Sequence, residues 1–193
     1  MYVEIRREDR RSLAAYATVP IAFAVSAVVD ATRLRLGEAD LSFRPAGPPR
    51  VKNYDAYIGN GPLSWANRFS MDTWVFLAAY DEHGERIGGA VVISDAAAIA
   101  EIGGRPSHAV LWDLRVTPLA RRRGVGRALL TAADKVARAA DCCGLDAETQ
   151  DINAAACLLY AAGEFILTAI APASYPEAAT ETKLVWTKLF ALG

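Results

Sequence analysis

The chain has 193 residues, 53% of them hydrophobic, and a formal net charge of −1; at this length it can bury a full core as one α/β domain. A balance this close to neutral excludes a global basic field for nucleic acid, so any anion must be bound locally. The three cysteines lack disulfide spacing, the N-terminus "MYVEIRREDRR" is charged from the start, and the longest apolar run, "TVPIAFAVSAVV", falls short of the roughly 20 residues that cross a bilayer, which together indicate a soluble cytoplasmic protein with free thiols and no membrane partner.

In chain order, residues 2–5 alternate as a short strand, and "EDRRSLAAYA" passes from charged to apolar as a helical segment that Pro20 ends. "AFAVSAVVD" reads as a buried strand. Between Leu41 and Tyr57, Pro45, Gly47, Pro48 and Pro49 predict a loop. The turn residues of "GNGPLSWANRFS" introduce a short helix over 63–69. "TWVFLAAY", "DEHG" and "RIGGAVVIS" then make a β-hairpin about Gly84. Residues 109–117, "AVLWDLRVTP" without its last proline, form the next strand. "VGRALLTAADKVARAAD" follows as a helix with Val125, Leu129, Ala132, Val136 and Ala139 on its apolar face. Gly144 is its expected stop, "LDAETQ" a strand, and 153–162 an Ala-rich helix closed by Gly163. "FILTAIA" and "TKLVWTKLF" are the last strands, separated by the loop "PASYPEAATE". Strands alternating with helices in the second half predict a mixed central sheet flanked by helices, an α/β (α+β) fold.

The chemistry concentrates at "PLARRRGVGRALL", residues 118–130. Gly124 and Gly126 carry no side chain, so a ligand can approach the backbone closely. The following helix starts with unpaired N–H groups and partial positive charge, and Arg121, Arg122, Arg123 and Arg127 add to it. In outline this is a pyrophosphate site; a solvated basic turn at a helix start is the competing reading. The P-loop pattern is absent, and Leu129 stands where a dinucleotide fingerprint needs its third glycine.

Arg121, Gly124 and Gly126 match the Q/R-x-x-G-x-G/A motif of the GNAT superfamily of acetyl-CoA-dependent N-acetyltransferases, after a strand and before a helix as that motif requires. Asn153, Ala156 and Tyr160 in "NAAACLLY" resemble the superfamily's N-x-x-A-x-x-x-Y helix, although Glu164 separates Gly163 from Phe165 where the family has them adjacent. The chain resembles enzymes of the streptothricin acetyltransferase type most. The resemblance implies a single domain over 1–193, with the acetyl-CoA core at 109–165, the N-terminal part and acceptor-side loops at 1–57, and two splayed central strands.

It also implies roles. Pyrophosphate would rest on the N–H groups of Arg122, Arg123, Gly124, Val125, Gly126, Arg127 and Ala128, with arginines including Arg121 around the phosphates. The pantetheine arm would pair with Leu114, Arg115 and Val116. Asn153 caps its own helix and in the family also contacts the cofactor arm. Tyr160 stands at the position of the acid that protonates the departing thiolate; the competing reading packs its ring in the core. A base must deprotonate the amine, and Asp113 on the motif strand and Glu148 in "DAETQ" are its candidates. Asp113 alternates in phase with Leu111 and Arg115, opposite Trp112. Cys157 reads as a core residue, and with two histidines no metal is expected.

For the acceptor, Tyr54, Tyr57 and Trp65 group near the "GNGP" turn, and Tyr175, Glu177 and Glu181 lie in the late loop, where acidic residues would attract a cationic amine. The expected activity is acetyl transfer from acetyl-CoA to a primary amine of a small molecule, such as an antibiotic, by direct attack on the thioester. The alternatives are a protein or peptide N-acetyltransferase and a non-catalytic acyl-CoA-binding module. A homodimer is a common arrangement for such folds.

Overall fold

The computed structural model of the chain describes residues 2–57, 59–172 and 180–191. In chain order its elements are β1 (Glu4–Glu8), α1 (Leu13–Ala17), β2 (Phe23–Val29), β3 (Phe43–Lys52), α2 (Pro62–Trp65), β4 (Val75–Tyr80), β5 (Arg86–Ile93) and α3 (Ala96–Glu101), followed by β6 (His108–Val116), α4 (Val125–Ala139), β7 (Gly144–Gln150), α5 (Ala154–Ala162), β8 (Ile166–Pro172) and β9 (Thr182–Leu189). They fall into two compact units interleaved in sequence. The first comprises Met1–Ala22, Asn53–Leu145 and Phe190–Gly193; the second comprises Phe23–Lys52 and Asp146–Leu189.

In the first unit the strand order is β1-β4-β5-β6, antiparallel throughout. The apolar runs of β4 and β5 are buried, and Gly84 (φ +76°) turns the hairpin between them. Two adjacent glycines in β5 let helices seat closely on the sheet. A Cβ on Gly88 would lie 3.1 Å from Val125 and 3.3 Å from Leu129 of α4, and one on Gly89 would lie 2.6 Å from the Tyr16 ring of α1. Tyr16, Trp65, Met71, Trp74, Phe76, Val91, Ile93 and Ile99 form the core, with Phe69 and Trp112 packed against it. Burial of these side chains is the main stabilising term.

In the second unit β9 lies between β7 and β8, and β2 and β3 form a separate two-stranded ribbon. Val25, Val28 and Ile152 pack together beneath it. Lys52, partly buried, closes the ribbon through a 2.5 Å ion pair to buried Glu181.

Several expectations are corrected. The proline-rich stretch after Leu41 is strand β3 rather than a loop. The ladder pairs Phe23 to Val25 with Lys52 to Arg50, then resumes at Ala27–Pro45, so Ala46 to Pro49 fall in the irregularity. A two-stranded ribbon has only edge strands, where a proline's missing N–H can face away from the ladder. The buried stripe of α4 is Val125, Leu129, Leu130, Ala133 and Ala137, and Ala139 is exposed. That helix ends at Ala139, and Gly144 opens β7 instead. Helix α3, unexpected from the sequence, is capped by Asp95, whose carboxylate accepts from the N–H groups of Ala97 and Ala98. Among the described residues no helix is long and apolar enough to cross a membrane.

Candidate functional site

The turn between β6 and α4 has an unusual backbone. A 3-10 turn over Pro118–Ala120 leads to extended Arg121. Arg122 then adopts φ +61° and Gly124 φ +88°, both left-handed. Such a conformation favours glycine and strains an arginine, and alternating hands turn successive N–H groups to one side as an anion-binding concavity. No side chain caps α4, and its first intrahelical bond, Ala128 N–H to the Gly124 carbonyl, leaves the preceding amides of the turn without a helical acceptor. A Cβ at Gly124 would meet nothing within 4 Å. Arg122, Arg123 and Arg127 are exposed around this turn. Arg121 is not: its guanidinium donates to the carbonyls of Val116 (2.9 Å) and Ala22 (2.7 Å), and burial lowers its pKa.

Strand β6 carries a bulge. Val91 pairs with Asp113 but Val92 pairs with Leu111, so Trp112 is the extra residue. This corrects the simple alternation expected from the sequence. Trp112 packs on Phe69 and Trp74 at 5.2 and 5.3 Å, while Asp113 accepts a 2.6 Å hydrogen bond from the hydroxyl of Tyr16 in the same core cluster.

The Arg115 side chain is fully buried, and its five N–H donors are all engaged. Nε and Nη2 donate to Asp113 at 2.9 and 2.6 Å, Nη1 and Nη2 to Asp55 at 2.9 and 3.3 Å, and Nη1 also to the Val19 carbonyl at 3.1 Å. Burial alone would lower its pKa, but the hydrogen bond and charge of Asp113 dominate and raise it above the usual arginine value. Burial, then the Asp113 charge, pushes the Tyr16 hydroxyl well above the ordinary tyrosine range, so it stays a donor. Both oxygens of Asp113 are thus held by donors. Asp55, whose side chain keeps 26% of its exposure, belongs to a pocket of about 440 Å³ lined by Ala17, Tyr57, Gly61, Pro62 and Ser64 among others.

The expected acceptor residues divide. Tyr57 lines this pocket. Trp65 lies in the core, its indole N–H donating to the Asn60 carbonyl at 3.0 Å. Tyr54 opens the 3-10 turn that carries Asp55. Tyr175 and Glu177 lie outside the described residues, and Glu181 is buried against Lys52. Asp55 and Tyr16 were not anticipated. Their signal was the arginine at 115 at a buried position of its strand, since a buried guanidinium demands carboxylate partners.

In the second unit Asn153 caps α5, its side chain accepting from Ala156 N–H at 3.2 Å. Tyr160 is 6% exposed and its ring packs against Phe165 and Trp186. Glu148 projects from β7 into solvent and pairs with Lys183 at 3.2 Å, a half-exposed contact of small energetic weight. Cys157 is buried, and burial pushes its thiol up to about 12, which disqualifies it as a nucleophile near neutral pH.

The profile of the acetyltransferase (GNAT) family matches residues 40–163. Streptothricin acetyltransferase A of Bacillus subtilis (strain 168) is 40% identical over 81 residues, 41% of this chain and 47% of that protein, so the match spans about half of the relative. In structure, a nourseothricin acetyltransferase superposes with a TM-score of 0.71 at 21% identity, over 98% of this chain and 99% of that one. A protein assigned as a streptothricin acetyltransferase from Bacillus anthracis str. Ames, in complex with acetyl coenzyme A, gives 0.74 at 21% identity, over 99% and 100%. Likeness of this extent shows the fold: one α/β domain with a mixed central sheet flanked by helices.

Proposed function

The chain belongs to the acetyltransferase (GNAT) family, and on that premise we propose that it moves the acetyl group of acetyl-CoA to a primary amine of a small molecule. The backbone turn from Arg122 to Gly124 carries this reading: two left-handed residues, open space above Gly124 and an uncapped helix start suit a diphosphate. The amides of Arg122 to Arg127 hold it, that of Ala128 being taken by the Gly124 carbonyl, and exposed Arg122, Arg123 and Arg127 supply countercharge. Arg121 serves as a strut, its guanidinium fixed to carbonyls. The pantetheine arm lies along Leu114 to Val116, where the Arg115 side chain points inward and only its backbone serves the arm. The bulge at Trp112 interrupts the β5 ladder, and a backbone N–H of β6 donates to the thioester oxygen.

In the transfer, the neutral amine attacks the thioester carbonyl, the C–S bond breaks, and the thiolate leaves with a proton. Tyr160 gives that proton: a phenol with pKa about 10 is protonated at pH 7, and a thiolate of parent pKa about 8.5 accepts as its charge develops. Glu148 is assigned the amine's proton, because its side chain is half-exposed on β7 and its pair with Lys183 lies at the surface. Proton uptake by Asp113 would give up its ion pair with Arg115. Asn153 adds a contact to the cofactor arm while capping α5.

The names of the similar proteins favour an amine-bearing antibiotic of the streptothricin kind as the acceptor. Thiol release from acetyl-CoA, measured against a panel including streptothricin, simple alkyl amines and a peptide N-terminus, tests the proposal. Release driven by small amines supports it. Release with the peptide alone makes the chain a peptide acetyltransferase. Acetyl-CoA binding without release for any amine makes it a binding module.

A further inference from the structure

The buried cluster under β6 has an unbalanced charge. Arg115 contributes +1, while Asp113 and Asp55 contribute −1 each, and these groups are in direct contact. The Arg115 side chain is 0% exposed and that of Asp113 7%, whereas that of Asp55 is 26% exposed. The surplus negative charge therefore meets solvent chiefly at Asp55, and Asp55 lines the pocket of about 440 Å³ beside Tyr57, Pro62 and Ser64. Asp55 is fixed at both its carboxylate and its backbone. Arg115 holds both oxygens, and the Asn53 side chain accepts from the Asp55 N–H at 3.1 Å. A preorganised carboxylate at a partly desolvated wall is a cation anchor, because neither partner must be reoriented when a ligand arrives.

We propose that Asp55 is a specificity-determining residue which binds a second, non-reacting cationic group of the acceptor, with Arg115 as its positioning residue. This rests on the reading of the chain as an amine acetyltransferase. Asp55, with both oxygens tied to Arg115, would hold a contacting amine as its cation rather than take its proton as a base does, and the nucleophile must be neutral. The cation at Asp55 is therefore a different one, and the acceptor carries at least two.

The test compares 1,4-diaminobutane with n-butylamine, by calorimetric binding to the full chain and by thiol release from acetyl-CoA. Wild type should prefer the diamine at least about tenfold, as expected for one desolvated charge pair, and the preference should shrink with salt. Asp55→Asn should bring the ratio close to one, while Asp55→Glu restores part of it. Ala56→Lys places an ammonium in the same pocket from an exposed position and should also abolish the preference, which keeps the proposal testable if Asp55→Asn does not fold. Equal binding of both amines by wild type, or a preference that survives Ala56→Lys, would overturn the assignment. Diamine preference without thiol release from any amine of the panel leaves the Asp55 site standing and removes the acetyltransferase reading; release without preference does the reverse.

Discussion

The proposed role of Tyr160 asks one side chain to meet two demands. Its ring fills the space between Phe165 and Trp186, so Tyr160→Phe preserves the packing and removes only the hydroxyl. General acids contribute roughly 10²–10⁴-fold. Tyr160→Phe should lower kcat for acetyl transfer by at least about a hundredfold with little change in melting temperature; a loss under about threefold contradicts the role. Glu148→Gln should lower kcat/KM by a similar factor, and its pH profile should lose the limb that reports the base. Asp113→Asn should act differently, through stability, since it leaves buried Arg115 with one carboxylate in place of two. If Asp113→Asn instead removes that limb while Glu148→Gln keeps it, the base assignment is exchanged.

Among the elements, the β6–turn–α4 unit was legible because its signals are local. Paired glycines, clustered arginines and a 3.6-residue apolar period need no distant partner to be read. The hairpin at Gly84 and the caps at Asn153 and Gly163 were legible for the same reason. Strand β3 was not, because three prolines speak against a strand unless one knows that the ribbon has only two strands and two edges. The bulge at Trp112 was equally hidden, since alternation along one strand says nothing about its partner's register. Gly89 tests the packing logic of the sheet. Its Cβ would meet the Tyr16 ring at 2.6 and 2.9 Å and the Leu77 carbonyl at 3.0 Å, and Tyr16 is pinned by its bond to Asp113. Gly89→Ala should therefore destabilise the protein by about 1–3 kcal/mol in urea unfolding; an unchanged midpoint would mean that α1 shifts freely on the sheet.

At the scale of the whole molecule, alkaline pH reports how firmly the core excludes charge. Burial raises the Cys157 thiol from an ordinary value near 9.0 to about 12. Below pH 9 both folded and unfolded chains hold that proton, so the stability is fully present. Between those values only the unfolded chain releases it, and stability falls by about 1.4 kcal/mol per pH unit from this group. The Tyr16 hydroxyl, raised by burial, adds to the loss from its own ordinary value near 10.0 upward. Cys157→Ala should flatten the decline that begins near pH 9, read from urea unfolding at pH 8, 9 and 10; parallel declines would show the thiol to be solvated. The charge network of Arg115, Asp113, Asp55 and Tyr16 was the least legible feature overall. It joins positions 60 and 97 residues apart, a separation that no pattern within one segment encodes.

The most direct measurement is a crystal structure of the chain grown with coenzyme A. Its diphosphate should lie within hydrogen-bonding distance of the amides between Arg122 and Ala128, with Gly124 still left-handed beneath it. Coenzyme A bound elsewhere, with that turn covered by neighbouring side chains, would contradict the account.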